Sequence, residues 1–212
     1  MEPRAVVLAA GASRRLGEPK ALVDLPGGRP VVRLVRAVRT ATGEDPLVVT
    51  GAHHAEIAAC LAAELDAAHL CLHNPDWAGG RTGGLALAAD RAPGRDLLVL
   101  AVDQPRVDAA LLGVLLEAWR VAGAPPTGWL APGYVPAGEP GQPTADPRPG
   151  HPILLGAGLA GRLAALDTDR PLRDLRAGAD PLWMVATNDP AVLDDLDTPD
   201  DLSALRLDMG RG

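Results

Sequence analysis

Aromatic side chains are nearly missing from this 212-residue chain, which has no Phe, one Tyr and four Trp. The core must then be built from Leu, Val and Ala, and the rows of aromatic platforms on which single-stranded nucleic acid stacks are not expected. An excess of positive charge is missing too. A net charge of −7 argues against wrapping a nucleic-acid backbone. Cysteine is limited to Cys60 and Cys71, without C-x-x-C spacing, so both read as reduced thiols in or near the core. The five histidines lack zinc spacing, and the adjacent His53 and His54 read as a solvated turn. No Ser-His-Asp or Cys-His grouping stands out. No apolar run is long enough to span a bilayer, and none of signal-peptide form precedes the first strand. The expectation is a cytoplasmic protein with neither nucleic acid nor membrane as partner.

What the chain does have is apolar residues, 47% of the total, arranged in alternating strand and helix patterns. Buried-type strands are expected at residues 5–9, 46–50, 67–73 and 97–102. Val31, Leu34, Val35 and Val38 recur at helical spacing between the first two, and Leu111, Val114, Leu115 and Ala118 after the fourth. This order implies an α/β sandwich with a largely parallel sheet, and the length suits one domain over residues 1–212. The second half is less regular. Residues 125–152 are rich in Pro and Gly, with a short apolar piece at 129–131, and read as a long functional or mobile loop. Further strands are expected at 152–155 and 182–187. Asp169 reads as a helix N-cap with Gly178 as the matching stop.

The most informative stretch runs from Val6 to Lys20. A buried-type strand leads straight into a loop carrying Gly11, Ser13, Arg14, Arg15, Gly17 and Lys20. Gly11 is expected to allow a tight turn and a close ligand. Successive backbone N–H groups in such a turn cradle anions, and Arg15 and Lys20 add charge that can meet phosphate oxygens. Neither common phosphate motif is present. The lysine follows Gly17 by three residues, where a P-loop requires one, and G-x-G-x-x-G is absent. Other polar candidates fall at expected strand ends, where open α/β sheets bind ligands. They are Asn74, followed by Pro75 to Gly80, and Asp103, which directly follows the fourth strand. A carboxylate at that point suits Mg²⁺ bridging substrate phosphates. The competing reading makes Asp103 a helix cap for a segment starting near Val107, or a turn residue. Near the C-terminus, Thr198 and Asp201 fit a capping box with Pro199 at the first helical position, leaving Asp197 just outside.

Taken in order, L-A-A-G-A-S-R-R-L-G-E-P-K, N-P-D-W-A-G-G, V-D-Q-P with G-H-P-I-L-L, and D-L-D-T-P-D-D-L span nearly the whole chain. Together they resemble the MobA-like nucleotidyltransferases, the group of molybdenum-cofactor cytidylyl- and guanylyltransferases. The resemblance implies a three-layer Rossmann-like, GT-A-like nucleotidyltransferase fold with a mixed, mostly parallel central sheet. It implies transfer of a nucleoside monophosphate from an NTP to a phosphorylated acceptor, with release of pyrophosphate.

Carried over by position, Gly11, Ser13, Arg15 and Lys20 would hold the triphosphate. Leu8, Ala9, Ala10 and Gly80 would join them in the nucleotide site, and Asn74 would lie near base and ribose. Asp103 would bind Mg²⁺, with Asp197 as second ligand. Arg15, Lys20 and Asp103 would carry the catalysis, and Gly150, His151 and Pro152 would line the acceptor side. Ala10 stands where the guanylyl branch typically has Gly, so CTP is expected over GTP. Molybdopterin is the expected acceptor, with a phosphosugar or isoprenoid precursor open, and a molybdoenzyme receiving the cofactor is a further candidate partner. A non-catalytic nucleotide-binding or handover module is the alternative outside the enzyme class. Two places depart from the pattern. Gly84 stands where a serine is usual, and residues 167–171 lack G-D-x-G.

Overall fold

The computed structural model describes residues 2–136, 146–166 and 170–210. In chain order the regular elements are β1 (Arg4–Ala9), α1 (Pro30–Thr42), β2 (Leu47–Thr50), α2 (His54–Leu65), β3 (Cys71–His73) and α3 (Arg81–Asp90). There follow β4 (Leu97–Ala101), α4 (Ala109–Val121), β5 (Trp129–Tyr134), β6 (Arg148–Pro149) and β7 (Ile153–Leu155). The short α5 (Ala157–Ala160), β8 (Leu182–Thr187) and α6 (Pro199–Met209) complete them. The strands form one mixed sheet in the order β3-β2-β1-β4-β7-β5-β6, with β8 paired to β5.

From β3 to β4 every pairing is parallel, as the βαβα pattern requires. Beyond β4 the pairings with β7, β5 and β6 are antiparallel, and β8 returns parallel to β5 over six residues. Val6, Val7, Leu97, Leu98, Val99 and Leu100 are all almost fully buried, because helices cover both faces of the central strands. On one face α1, α2 and α4 pack through Leu34, Leu61 and Leu112. The other face is covered by α3, α5 and the turns around Leu163 and Leu175. A third, smaller cluster brings Leu16, Val23 and Leu25 of the first loop against Leu196, Leu202 and Leu205. That packing clamps the loop after β1 to the C-terminal helix.

Two sequence expectations change here. The strand expected over 67–73 is only Cys71–His73, because Ala68–Leu70 form a 3₁₀ turn after the left-handed Asp66 that ends α2. The expected loop over 125–152 contains the six-residue β5, which is hidden in the sequence by Pro132 and Gly133. Pro132 is tolerated within it because the strand still pairs with β8, whose Val185 stands opposite. Residues 137–145 of the expected loop lie outside the described residues, as does the cap expected at Asp169. Leu172–Gly178 is a 3₁₀ segment. Both cysteines are free, Cys60 buried in α2 and Cys71 half-buried in β3.

Candidate active site

Parallel pairing sets the position of the site. Leu8 of β1 lies beside Ala101 of β4, and the Val102 N–H donates to the Leu8 carbonyl at 3.1 Å. The loop after β1 and the residue after β4 therefore leave the sheet at the same end. A cleft opens there, lined by Leu8, Ala9, Ala10, Gly11, Ser13, Arg15 and Lys20 from the first loop. Asn74 and Gly80 join them from beyond β3, with Asp103 after β4 and Asp197 ahead of α6. Every residue assigned by resemblance to nucleotide or metal thus faces one cavity.

The first loop is shaped differently from expectation. Gly11 does not take a positive φ, and a Cβ there would meet nothing within 4 Å, so it leaves the cleft wall low without making the turn. The turn is made by Ser13 (φ 51°) and Gly17 (φ 84°), with the N–H groups of Leu16 and Gly17 donating to the Ser13 carbonyl. Ser13 Oγ accepts from the Lys20 N–H at 3.0 Å, which fixes the start of the lysine side chain.

Lys20 and Arg15 both form ion pairs with Asp197. Lys20 and Asp197 are mostly buried, whereas the Arg15 side chain is 70% exposed. Burial works against the ionised Asp197, but Lys20 and then Arg15 outweigh it and hold the carboxyl below the usual range. Asp197 is aimed by its neighbours: its N–H and that of Thr198 donate to Asp201 Oδ2, and the Asp201 N–H donates to Thr198 Oγ1. The capping box expected from sequence is formed.

Asp103 is not a helix cap. That role falls to Asp108, whose Oδ1 accepts from the Leu111 N–H at 2.9 Å. The Asp103 backbone carbonyl accepts from the Leu196 N–H at 3.0 Å, tying the end of β4 to the segment that carries Asp197. Its carboxylate lies 3.7 Å from Arg81 Nη2 at the start of α3. At Asp195, burial, then the charges of Asp197 and Asp103, push the carboxyl above the usual range.

Among the described residues no group of three His, Cys, Asp or Glu could hold a metal. Asp103 and Asp197 together offer two carboxylates on one cleft wall. That donor set fits Mg²⁺, which keeps waters and takes phosphate oxygens for its remaining positions.

Gly150, His151 and Pro152 are not among the cleft-lining residues. Gly150 packs under the Val192 carbonyl, which also accepts from the His151 N–H at 3.0 Å. Continuing the β4–β7 register places His151 level with Ala101, on the face shared with α3. His151 is exposed, yet the protein around it lowers its pKa. Asp103 opposes that shift, and the charges of Arg81 and Arg176 add to it.

Sequence reasoning missed Arg81, although the N1 position of a helix following Gly80 was there to be read. It also missed His53, which lines the cleft and approaches the Ala12 carbonyl (3.4 Å). His54 stacks on His73 with ring centroids 4.4 Å apart. The pair is therefore not the solvated turn expected.

The MobA-like NTP transferase domain matches residues 5–187. The chain belongs to the MobA-like NTP transferases. A molybdenum cofactor guanylyltransferase from Xanthomonas euvesicatoria pv. vesicatoria is 37% identical over 120 residues, covering 52% of each chain. The matched stretch thus spans about half the length of that relative. Nicotine blue oxidoreductase from Paenarthrobacter nicotinovorans is 30% identical over 166 residues, 76% of this chain and 74% of that protein. Among solved structures, a nucleotidyl transferase from Methanothermobacter thermautotroptrophicus superimposes with a TM-score of 0.77 at 26% identity, covering 99% and 98% of the two chains. This MobA-like chain has the nucleotidyltransferase fold, with its charged cleft at the parallel strand ends. No helix among the described residues is long and apolar enough to cross a membrane.

Proposed function

We propose that the protein transfers CMP from CTP to a phosphorylated acceptor, molybdopterin first among the candidates, and releases pyrophosphate. One observation carries this reading: Arg15, Lys20, Asp103 and Asp197 converge on a single cleft floored by the ends of β1 and β4. An acceptor phosphate oxygen attacks the α-phosphorus in line. The bond from that phosphorus to the α–β bridging oxygen breaks, and pyrophosphate leaves with the electron pair. Such transfer asks for positioning and charge stabilisation more than covalent help.

Lys20 and Arg15 turn from Asp197 to the β- and γ-phosphates and offset the charge that develops on the leaving group. The Ser13–Lys20 bond keeps the lysine aimed during that exchange. Asp103 and Asp197 would hold Mg²⁺, which when bound neutralises phosphate oxygens and orients them. In this reading the acceptor would approach from the β7 side, where His151 comes level with Ala101. Ala10 places a methyl in the cleft wall and supports the smaller base.

The test is pyrophosphate release from each NTP with Mg²⁺ and with molybdopterin, phosphosugar or isoprenoid-phosphate acceptors. CTP with molybdopterin is the expected productive pair. A guanosine donor is the second reading, favoured by the guanylyltransferase relative, and the same assay would reveal it. Tight CTP binding without pyrophosphate from any acceptor would point to a binding or handover module.

A further inference from the structure

The sheet ends on two unlike strands. β3 has three residues, and a strand that short offers little to a partner. β8 has six, about 20 Å of edge, and among the described residues it pairs with β5 alone. The Trp129 N–H donates to the Pro181 carbonyl at 2.9 Å and the Val135 N–H to the Thr187 carbonyl at 2.8 Å, so odd-numbered residues of β8 turn to β5. Alternation then points the N–H and C=O of Leu182, Met184 and Ala186 away from the sheet. The side chains of these three share one face, and all are exposed, Leu182 by 51% and Met184 by 42%. The other face carries Trp183 and Val185 against the core under α4. No charged residue, proline or bulge interrupts the strand, although edges facing water are ordinarily blunted by such devices.

We propose that β8 joins two copies of this chain, pairing antiparallel with the partner's β8 about a two-fold axis at Met184. That register sets Met184 opposite the partner's Met184 and Leu182 opposite the partner's Ala186, each as a hydrogen-bonded pair. All three outward N–H groups and all three outward carbonyls of each strand are then bonded. A slip by two residues would push Leu182 or Ala186 past the end of the partner's strand. On the exposed face every opposed pair is apolar, and on the other Trp183 meets the partner's Val185. The flanking charges favour the same order. Antiparallel pairing sets Asp180 opposite the partner's Asn188, whereas parallel pairing would stack Asp180 on the partner's Asp180. The contact is isologous, so it closes at two copies. β8 runs parallel to β5, and the two-fold axis reverses the partner, so the two clefts open at opposite edges of the joined sheet and neither is covered. The dimer therefore stands independently of the nucleotide reading.

Sedimentation equilibrium of the full chain from about 1 to 100 μM tests this, together with cysteine cross-linking. The wild-type protein is expected to dimerise within that range. Met184→Lys sets two like charges at the axis and should raise the dimer dissociation constant about tenfold or more, with cooperative urea unfolding retained. Opposed Cα atoms in a hydrogen-bonded pair lie about 5.5 Å apart, within disulfide range. Met184→Cys should therefore oxidise to a covalent dimer mapped to residue 184 on both chains. Leu182→Cys alone should not, because its like residue lies four positions, about 13 Å, along the strand. A mixture of Leu182→Cys and Ala186→Cys chains should cross-link. A monomer at every concentration overturns the proposal. So does a dimer that resists Met184→Lys and forms no disulfide at 184, or one in which Leu182→Cys cross-links to itself as readily as Met184→Cys.

Discussion

The two halves of the sheet are built on different plans. From β3 to β4 all strands run the same way, so the turns after β1, β2, β3 and β4 gather at one edge and supply the cleft with the first loop, His53, Asn74 and Asp103. From β7 onward the pairing with β4, β5 and β6 is antiparallel, and successive connections leave at opposite ends. The approach to β7, at His151, comes level with the cleft, and β8 ends at the same edge, where the segment after it brings in Asp197. Parallel order thus concentrates polar loops in one place, while the other half gives the cleft a single side chain, Asp197. The charges cross that division. Lys20 and Arg15 of the parallel half are balanced by Asp197, which follows β8, before any ligand arrives. In the other half Arg176 Nε is buried without a partner among the described residues, its guanidinium 5.4 Å from the Trp129 ring centroid.

The largest expected effect breaks the join between the halves. Trp119 of α4 is 2% exposed, donates to Asp96 Oδ2 at 2.9 Å and stacks on Trp183 of β8 at 5.3 Å. Asp96 Oδ1 in turn accepts from the Ala157 N–H that opens α5. Trp119→Ala should cost about 3–5 kcal/mol in chemical denaturation, through the lost ring volume and the unpaired Asp96 Oδ2. A loss below about 1 kcal/mol would mean that the antiparallel half is held by something else.

Next in size is the chemistry of the parallel half. Lys20→Ala and Asp103→Ala should each slow pyrophosphate release at least about a hundredfold while leaving the fold intact. Near-normal turnover in either variant would remove that residue from the mechanism.

A similar factor, without functional consequence, is expected at the outer strand of the parallel half. Burial pushes the Cys71 thiol up to about 11, with a smaller contribution from Cys60. The thiolate is the reactive form, so alkylation at pH 8 should run about a hundredfold slower than for an unperturbed thiol. The sign is fixed by linkage. With its folded pKa raised, this group's contribution to stability is present below the ordinary thiol range and is lost as pH rises through about 11. Peptide mapping that finds Cys71 labelled at free-thiol rates would show that β3 frays from the sheet.

The same division explains what could be read from the sequence. The strands β1, β2 and β4 and the helices α1 and α4 are legible because burial on both strand faces, or on one helix face, leaves uninterrupted or periodic apolar patterns. β5 is not, because Pro132 and Gly133 look like turn residues, and only pairing with the distant β8 makes them a strand. The cleft residues were legible as a set, since a strand end followed by glycine, arginine and lysine carries its chemistry locally. Their geometry was not. The turn belongs to Ser13 and Gly17 in place of Gly11, and the partner of Lys20 lies 177 residues away. Arg81 escaped notice because its significance comes from Asp103, beyond the end of β4.

The smallest expected effect concerns how the C-terminal segment aims that distant partner. Thr198 Oγ1 accepts from the Asp201 N–H, while Asp201 Oδ2 accepts from the N–H groups of both Thr198 and Asp197. Removing the hydroxyl takes away the cap and loosens the carboxylate that holds the Asp197 backbone. Thr198→Ala should therefore cost about 1 kcal/mol of stability. It should also weaken CTP binding by less than tenfold, because in the free protein the ion pairs with Lys20 and Arg15 still hold Asp197 at the cleft. Thr198→Ser should restore both, since serine caps as well as threonine. If Thr198→Ala lowers stability but leaves CTP affinity untouched, the capping box serves α6 alone, and the packing of Leu16 against Leu202 and Leu205 is enough to keep Asp197 facing the cleft.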